Sequence, residues 1–148
     1  MSNVLIVGTV ATDTIETPFG KVERALGGSA TYAAYAASFF TKPSIISIIG
    51  EDFPKEHWKD LEKKGINLEG IQKSGKTFHW EGSYEFDMNE AKTLKTELNS
   101  LEGFKPAVPE THKGAEYVFL ANIYPDVQES VLNQLTNPKL VLMDTMNL

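Results

Sequence analysis

The sequence predicts an α/β protein: a parallel sheet flanked by helices, with a small antiparallel sheet carried at one edge. Three observations predict it. Short apolar runs recur at residues 3–8 (NVLIVG), Ser44–Ile49 (SIISII), 116–121 (EYVFLA) and 139–143 (KLVLM), the pattern of strands buried on both faces. Helix-compatible segments separate three of these runs from the next strand, which is how parallel strands are joined. Residues 77–88 alternate with period two, placing Phe78, Trp80, Tyr84, Phe86 and Met88 on one face, with Gly82 in the gap, and polar residues on the other.

In chain order, residues 3–8 form a first strand closed by Gly8. Asp13 follows just past its C-terminal end, where parallel α/β sheets bind ligands; it is a candidate hydroxyl acceptor or an ordinary turn aspartate. Residues 14–18 and 22–26 read as a hairpin turning at Phe19-Gly20, an insertion that a plain βαβ unit lacks.

Gly27 and Gly28 then open a helix of small residues running to about Phe40. Ser29 is the expected cap, and Ala30, Ala33, Ala34 and Ala37 share one face, so the helix can lie close to a sheet. The glycine pair serves either a tight turn or the approach of a ligand to main-chain N–H groups.

After the second strand, Gly50-Glu51-Asp52 precedes a helix reaching Lys64, with Asp52 as its expected cap and Gly65 as its stop. The aromatic strand and an extended stretch over residues 93–98 are expected to pair with the early hairpin. Its aromatic face needs a cover: a ligand, a second subunit, or the chain's own core. A helix from Pro125 to Leu135 separates the last two strands, and Asn122 stands at the ligand-binding end of the first of them. Residues 144–148 are polar at that same end, which suggests a chain cut within an α/β domain. Asp144 and Asn147 there are candidates for a nucleotide or phosphate side.

The composition narrows the function. A chain of 148 residues suits one domain, and 20 acidic against 14 basic residues gives a net charge of −6, unlike a general nucleic-acid binder. Cysteine is absent, which excludes disulfides and thiolate metal sites. With no basic leader and no apolar run near the roughly 20 residues of a membrane span, a cytoplasmic protein is expected. P-loop, dinucleotide-fingerprint, GxSxG and HExxH patterns do not occur, so a dinucleotide-dependent oxidoreductase finds no support. His57, His79 and His112 have no ligand spacing and are expected at the surface.

Taken together, Gly8-Thr9 with Asp13, Gly27-Gly28 opening a small-residue helix, Gly50-Glu51-Asp52 and the interposed strands resemble the N-terminal half of the ribokinase-like carbohydrate kinases. This is the phosphofructokinase B family, which includes adenosine and fructose kinases. The resemblance runs over essentially all 148 residues. Each element is weak alone, and the set is specific. It implies a ribokinase-like parallel sheet with a lid built near residues 12–26 and 72–100. The implied activity is transfer of the γ-phosphate of ATP, with magnesium, to a hydroxyl of a sugar, nucleoside or similar polyol.

By the same resemblance Asp13, Gly27, Gly28, Tyr32 and Asn122 would bind substrate. Phe78, Trp80 and Tyr84 would form the lid, which often pairs subunits into a homodimer. Two positions depart from the family pattern. Tyr32 and Ala11 stand where many members have asparagine, which points away from ribose and toward a substrate offering an aromatic or apolar face. The family's Asp-x-x-Gly-Ala-Gly-Asp motif, which supplies the anion hole and catalytic base, has no match here, so the chain alone is expected to be inactive. The alternative is a non-catalytic small-molecule-binding or dimerisation module.

Overall fold

Apolar runs too short for helices and too apolar for a half-wet sheet must be buried on both sides, and the structure does this with layers. The computed structural model describes residues 4–146. Five strands, β1 (Val4–Val7), β4 (Ser44–Ile49), β5 (Asn67–Lys73), β8 (Tyr117–Leu120) and β9 (Leu140–Met143), form one sheet in the order β5-β4-β1-β8-β9. Every neighbouring pair in it is parallel. Helices α1 (Ser29–Ala37) and α2 (Lys55–Lys63) accompany one hydrophobic cluster, and α3 (Pro125–Leu132) accompanies the other.

Alternation divides the central strands between the two clusters. Leu5, Val7, Ile46 and Ile48 join Val118, Leu120, Val127 and Val131 in one. Ile6, Ile45 and Ile49 join Ala30, Ala34 and Leu61 in the other. Each fully buried isoleucine contributes about 1.5–3 kcal/mol relative to exposure. The small face of α1 works as expected, with Ala30 and Ala34 wholly buried. Ser47 interrupts an apolar strand without penalty because its hydroxyl accepts the Val10 N–H at 3.1 Å.

Strand β5 lies where the sequence showed none. Gly70 and alternating polar residues disguise it; a methyl group at Gly70 would lie 2.3 Å from Ile46 Cδ1, so this edge strand packs closely on β4. It also claims residues 72 and 73, which the sequence had assigned to the lid. At the opposite edge β9 is not the core strand expected. Leu140 and Leu142 stay 50% and 56% exposed, because no helix among the described residues covers that side.

The lid is a second sheet, β3-β2-β6-β7, built from β2 (Ala11–Thr17), β3 (Gly20–Gly27), β6 (His79–Tyr84) and β7 (Ala91–Glu97). Its hairpins β2/β3 and β6/β7 are antiparallel as expected, but β2 and β6 pair in parallel, so the lid is mixed. The reason is topological. β2 leaves the C-terminal end of β1 and β6 leaves that of β5, and strands departing the same edge of a parallel sheet run in the same direction. The aromatic strand ends at Tyr84; Phe86, 80% exposed, and Met88, at φ 55°, lie beyond it.

The two expected caps have other partners. Gly28, not Ser29, precedes α1, and Pro54 precedes α2. Asp52 instead ties lid to body. Its Oδ1 accepts the Thr77 N–H at 2.7 Å and the Thr77 hydroxyl at 2.9 Å, and its Oδ2 meets the Arg24 guanidinium at 3.1 Å. Burial works against the charged form, but the Thr77 bonds and Arg24 outweigh it and hold the Asp52 carboxyl below its ordinary value. Arg24 reaches Asp52 from a bulge, where Glu23 and Arg24 together oppose Thr14 and Arg24 adopts φ 51°.

Candidate functional site

The chain turns back at β1. From there it runs outward to β4 and β5, then returns to β8 on the other side, so a crevice opens beyond the C-terminal ends of β1 and β8. A hydroxyl network lines it. The Thr9 N–H donates to Ser29 Oγ at 3.0 Å, the Ser29 N–H donates to Thr9 Oγ1 at 2.9 Å, and Ser29 Oγ donates to the Asn122 carbonyl at 2.7 Å. Ser29 thus pins the start of α1 across the ends of two strands. This role was not legible in the sequence, because the partner lies 93 residues away.

Both glycines answer close approaches. Gly28 has φ 100°, and a methyl group there would lie 2.3 Å from the Thr9 carbonyl oxygen. A methyl group at Gly27 would lie 2.0 Å from Asp13 Oδ2, so Gly27 makes the space into which Asp13 projects. Asp13 is partly buried, and among the described residues no donor is bonded to its carboxylate. Burial pushes its carboxyl above the ordinary value, and His79 offsets part of that rise. Tyr32, on the first turn of α1, is 62% exposed. Burial, then the Asp13 charge, then Tyr84 push its phenol above the ordinary value, so the three groups share one electrostatic neighbourhood.

The structure therefore places Asp13 against Gly27 and sets Tyr32 within electrostatic reach of Asp13 and of the lid residue Tyr84. Asn122 and Phe78 face an adjoining cavity of about 460 Å³, which Thr9, Thr96, Leu98 and Tyr124 also line. Thr9, the contact of Gly28, borders both. Phe78 packs on the core, and the Trp80 ring lies over Gly82 while its Nε1 donates to Thr93 at 3.2 Å. Much of the aromatic face is thus covered within the chain.

Asp144 directly follows β9, its carboxylate accepting the Met146 N–H at 2.8 Å; Asn147 lies outside the described residues. Gln128, buried on α3, stitches the strand ends together through its Nε2, which reaches the carbonyls of Leu120, Ala121 and Asp144. A polar residue between Val127 and Val131 on a buried face was its signal. Two of the three histidines are not at the surface. His79 and His112 are buried, the first by lid pairing and the second by a one-turn 3-10 segment (Glu110–His112). The described residues contain no group of three or more His, Cys, Asp or Glu suited to one metal ion, and no helix long and apolar enough to cross a membrane.

A five-stranded parallel sheet with a two-hairpin lid over its switch point is the ribokinase-like fold, and the chain resembles the kinases built on it. Among them is the cytidine kinase of Thermococcus kodakarensis, 28% identical over 144 residues, which are 96% of this chain and 51% of that protein. The nucleoside kinase of Methanocaldococcus jannaschii, an archaeal member of the ribokinase family, superposes with a TM-score of 0.76 at 19% identity, over 99% of this chain and 53% of that one. A Burkholderia thailandensis nucleoside kinase, solved in complex with inosine, gives 0.70 at 14% identity, over 88% and 48%. No family model matches the chain. The chain spans about half the length of the curated relative it matches.

Proposed function

We propose that this chain forms the acceptor-binding half of a kinase that phosphorylates a hydroxyl of a nucleoside. The observation that carries the reading is Asp13: a partly buried carboxylate with no donor bonded to it among the described residues, in space left by Gly27 and in the electrostatic neighbourhood of Tyr32. Such a group is ready to accept hydroxyl hydrogen bonds. Glycine at 27 and 28 keeps the approach clear, and the lid excludes water from the hydroxyl that attacks phosphorus. A nucleoside is favoured over a plain sugar because Tyr32 and Tyr84 offer ring faces, and stacking of a base on an aromatic side chain is worth about 1–3 kcal/mol. The cytidine and nucleoside kinase relatives support the same substrate class.

ATP as donor, with magnesium, follows from the resemblance to ribokinase-like kinases. Asp144, and Asn147 beyond the described residues, would lie on the nucleotide side. The Asp-x-x-Gly-Ala-Gly-Asp pattern has no match in this chain, so its proposed part in the reaction is to bind and orient the acceptor. Calorimetric titration of the 148-residue chain should show cytidine or inosine binding more tightly than ribose or fructose, without phosphoryl transfer when ATP and magnesium are added. Equal affinity for ribose, or no binding by any of the four, would overturn the nucleoside reading.

The second reading, a dimerisation module, is favoured by the apolar surface that remains: Phe86 on the lid and the uncovered face of β9. Self-association through the lid sheet as a two-fold dimer is compatible with either function. Sedimentation velocity at micromolar concentration should show dimer; a clean monomer would remove the lid interface.

A further inference from the structure

The buried histidine of the lid has no place in the acceptor site described above, yet its two ring nitrogens clasp the strand that carries Asp13. His79 is 7% exposed and stands opposite Thr12 in the parallel pair of β2 and β6. Its Nδ1 lies 2.9 Å from Thr12 Oγ1 and its Nε2 lies 3.3 Å from Thr14 Oγ1. Successive side chains of a strand point to opposite faces, so Thr12 and Thr14 face His79 while Asp13, between them, projects to the other side.

The ladder of β2 with its other neighbour is interrupted at the same place. The bulge in β3 places Glu23 and Arg24 opposite Thr14, and a bulge disrupts the ladder and re-aims side chains near it. The one bond there from β3 to the Thr14 side chain is from the Arg24 N–H, at 3.3 Å.

We propose that His79 is the positioning residue of Asp13: by holding Thr12 and Thr14 from behind, its ring fixes the aim of the carboxylate between them. This rests on the reading of Asp13 as the hydroxyl acceptor. The charged groups about the ring are Glu81, whose Oε1 lies 3.4 Å from Nε2, Asp13 across β2, and Glu97, which faces His79 on β7 and is itself paired with Lys95 at 3.1 Å. From β3 the Arg24 N–H reaches the same Thr14 hydroxyl, and the Arg24 guanidinium is engaged with Asp52.

The test compares the parent chain with His79→Phe, which keeps an aromatic ring and removes both nitrogens, and with His79→Gln, which can restore one of the two bonds. Two measurements are made on each: the titration of the Asp13 carboxyl by carbon-13 NMR without ligand, and the affinity for cytidine and inosine. His79→Phe should shift the Asp13 carboxyl resonance, raise its titration midpoint, and weaken nucleoside binding about tenfold, the scale of a lost hydrogen bond. His79→Gln should recover part of the affinity and of the resonance shift, while the titration midpoint stays raised because glutamine carries no charge.

A folded His79→Phe chain with unaltered Asp13 titration and unaltered affinity would overturn the proposal. Should the phenylalanine variant not fold, the glutamine variant decides it by the same two readouts. Asp13→Ala separates the two ideas. If it binds nucleoside as the parent does, the acceptor reading fails, while the ligand-free carboxyl resonance of Asp13 in the two His79 variants still decides whether His79 positions the carboxylate.

Discussion

Asp13→Ala should weaken nucleoside binding ten- to a hundredfold while leaving the fold intact. The size follows from the hydrogen bonds a charged acceptor makes, roughly 1.5–3 kcal/mol each. The intact fold follows from the absence of any protein donor bonded to the carboxylate, so its removal orphans nothing among the described residues. A carboxyl whose value is raised on folding favours the folded state at low pH and opposes it once ionised. At neutral pH the Asp13 charge therefore costs stability, and the variant should melt no lower than the parent. The parent's affinity should fall as pH drops through the raised Asp13 titration, because a protonated carboxyl accepts fewer hydrogen bonds; the alanine variant's affinity should be flat over that range. Calorimetry between pH 4 and 8, beside thermal melts, checks both. A variant that binds normally, or one that unfolds, would remove Asp13 from the site.

Gly28→Ala should be the most destabilising single-methyl change in the site. Its backbone sits at φ 100°, which costs a side-chain-bearing residue about 1–3 kcal/mol. The new methyl group would also lie 2.3 Å from the Thr9 carbonyl oxygen and 3.0 Å from the nitrogen of Ala11, the first residue of β2, both of them backbone atoms. Overpacking of this kind typically adds 1–3 kcal/mol. At about 2–4 °C per kcal/mol for a chain of this size, a loss of roughly 10 °C in Tm is expected, or failure to fold. Gly75→Ala is the control: its φ is 62°, but no atom lies within 4 Å of the added methyl, so only the backbone term applies. Equal melting of the two variants would show that the contact with Thr9 is relaxed at no cost.

Much of the body was legible because its signals are local. Ser44–Ile49 is buried on both sides because its own composition demands it, and Ala30 and Ala34 set the close packing of α1 by their size. The glycine pair, Asp13 and Tyr32 are grouped by the resemblance to the ribokinase-like kinases; in the structure Gly27 abuts Asp13, and the Asp13 and Tyr84 charges both act on Tyr32. β5 escaped notice because an edge strand needs only Leu68, Gly70 and Ile71 buried, a pattern too short to stand out.

Tertiary structure alone decided who meets whom. Asp52 has the composition of a helix cap, yet Thr77 and Arg24 take its oxygens, because β6 and the bulge of β3 converge there. Ser29 likewise has the position of a cap, yet its hydroxyl goes to the Asn122 carbonyl 93 residues on. His79 is polar by type and buried by pairing, its ring satisfied by hydroxyls 65 and 67 residues away. The sequence by itself determined the central strands, the helices and the chemical types at the crevice, since periodicity and side-chain size act over a few residues. The parallel register of β2 on β6, and with it the aim of Asp13, came only from the return of a distant strand, which no local pattern encodes.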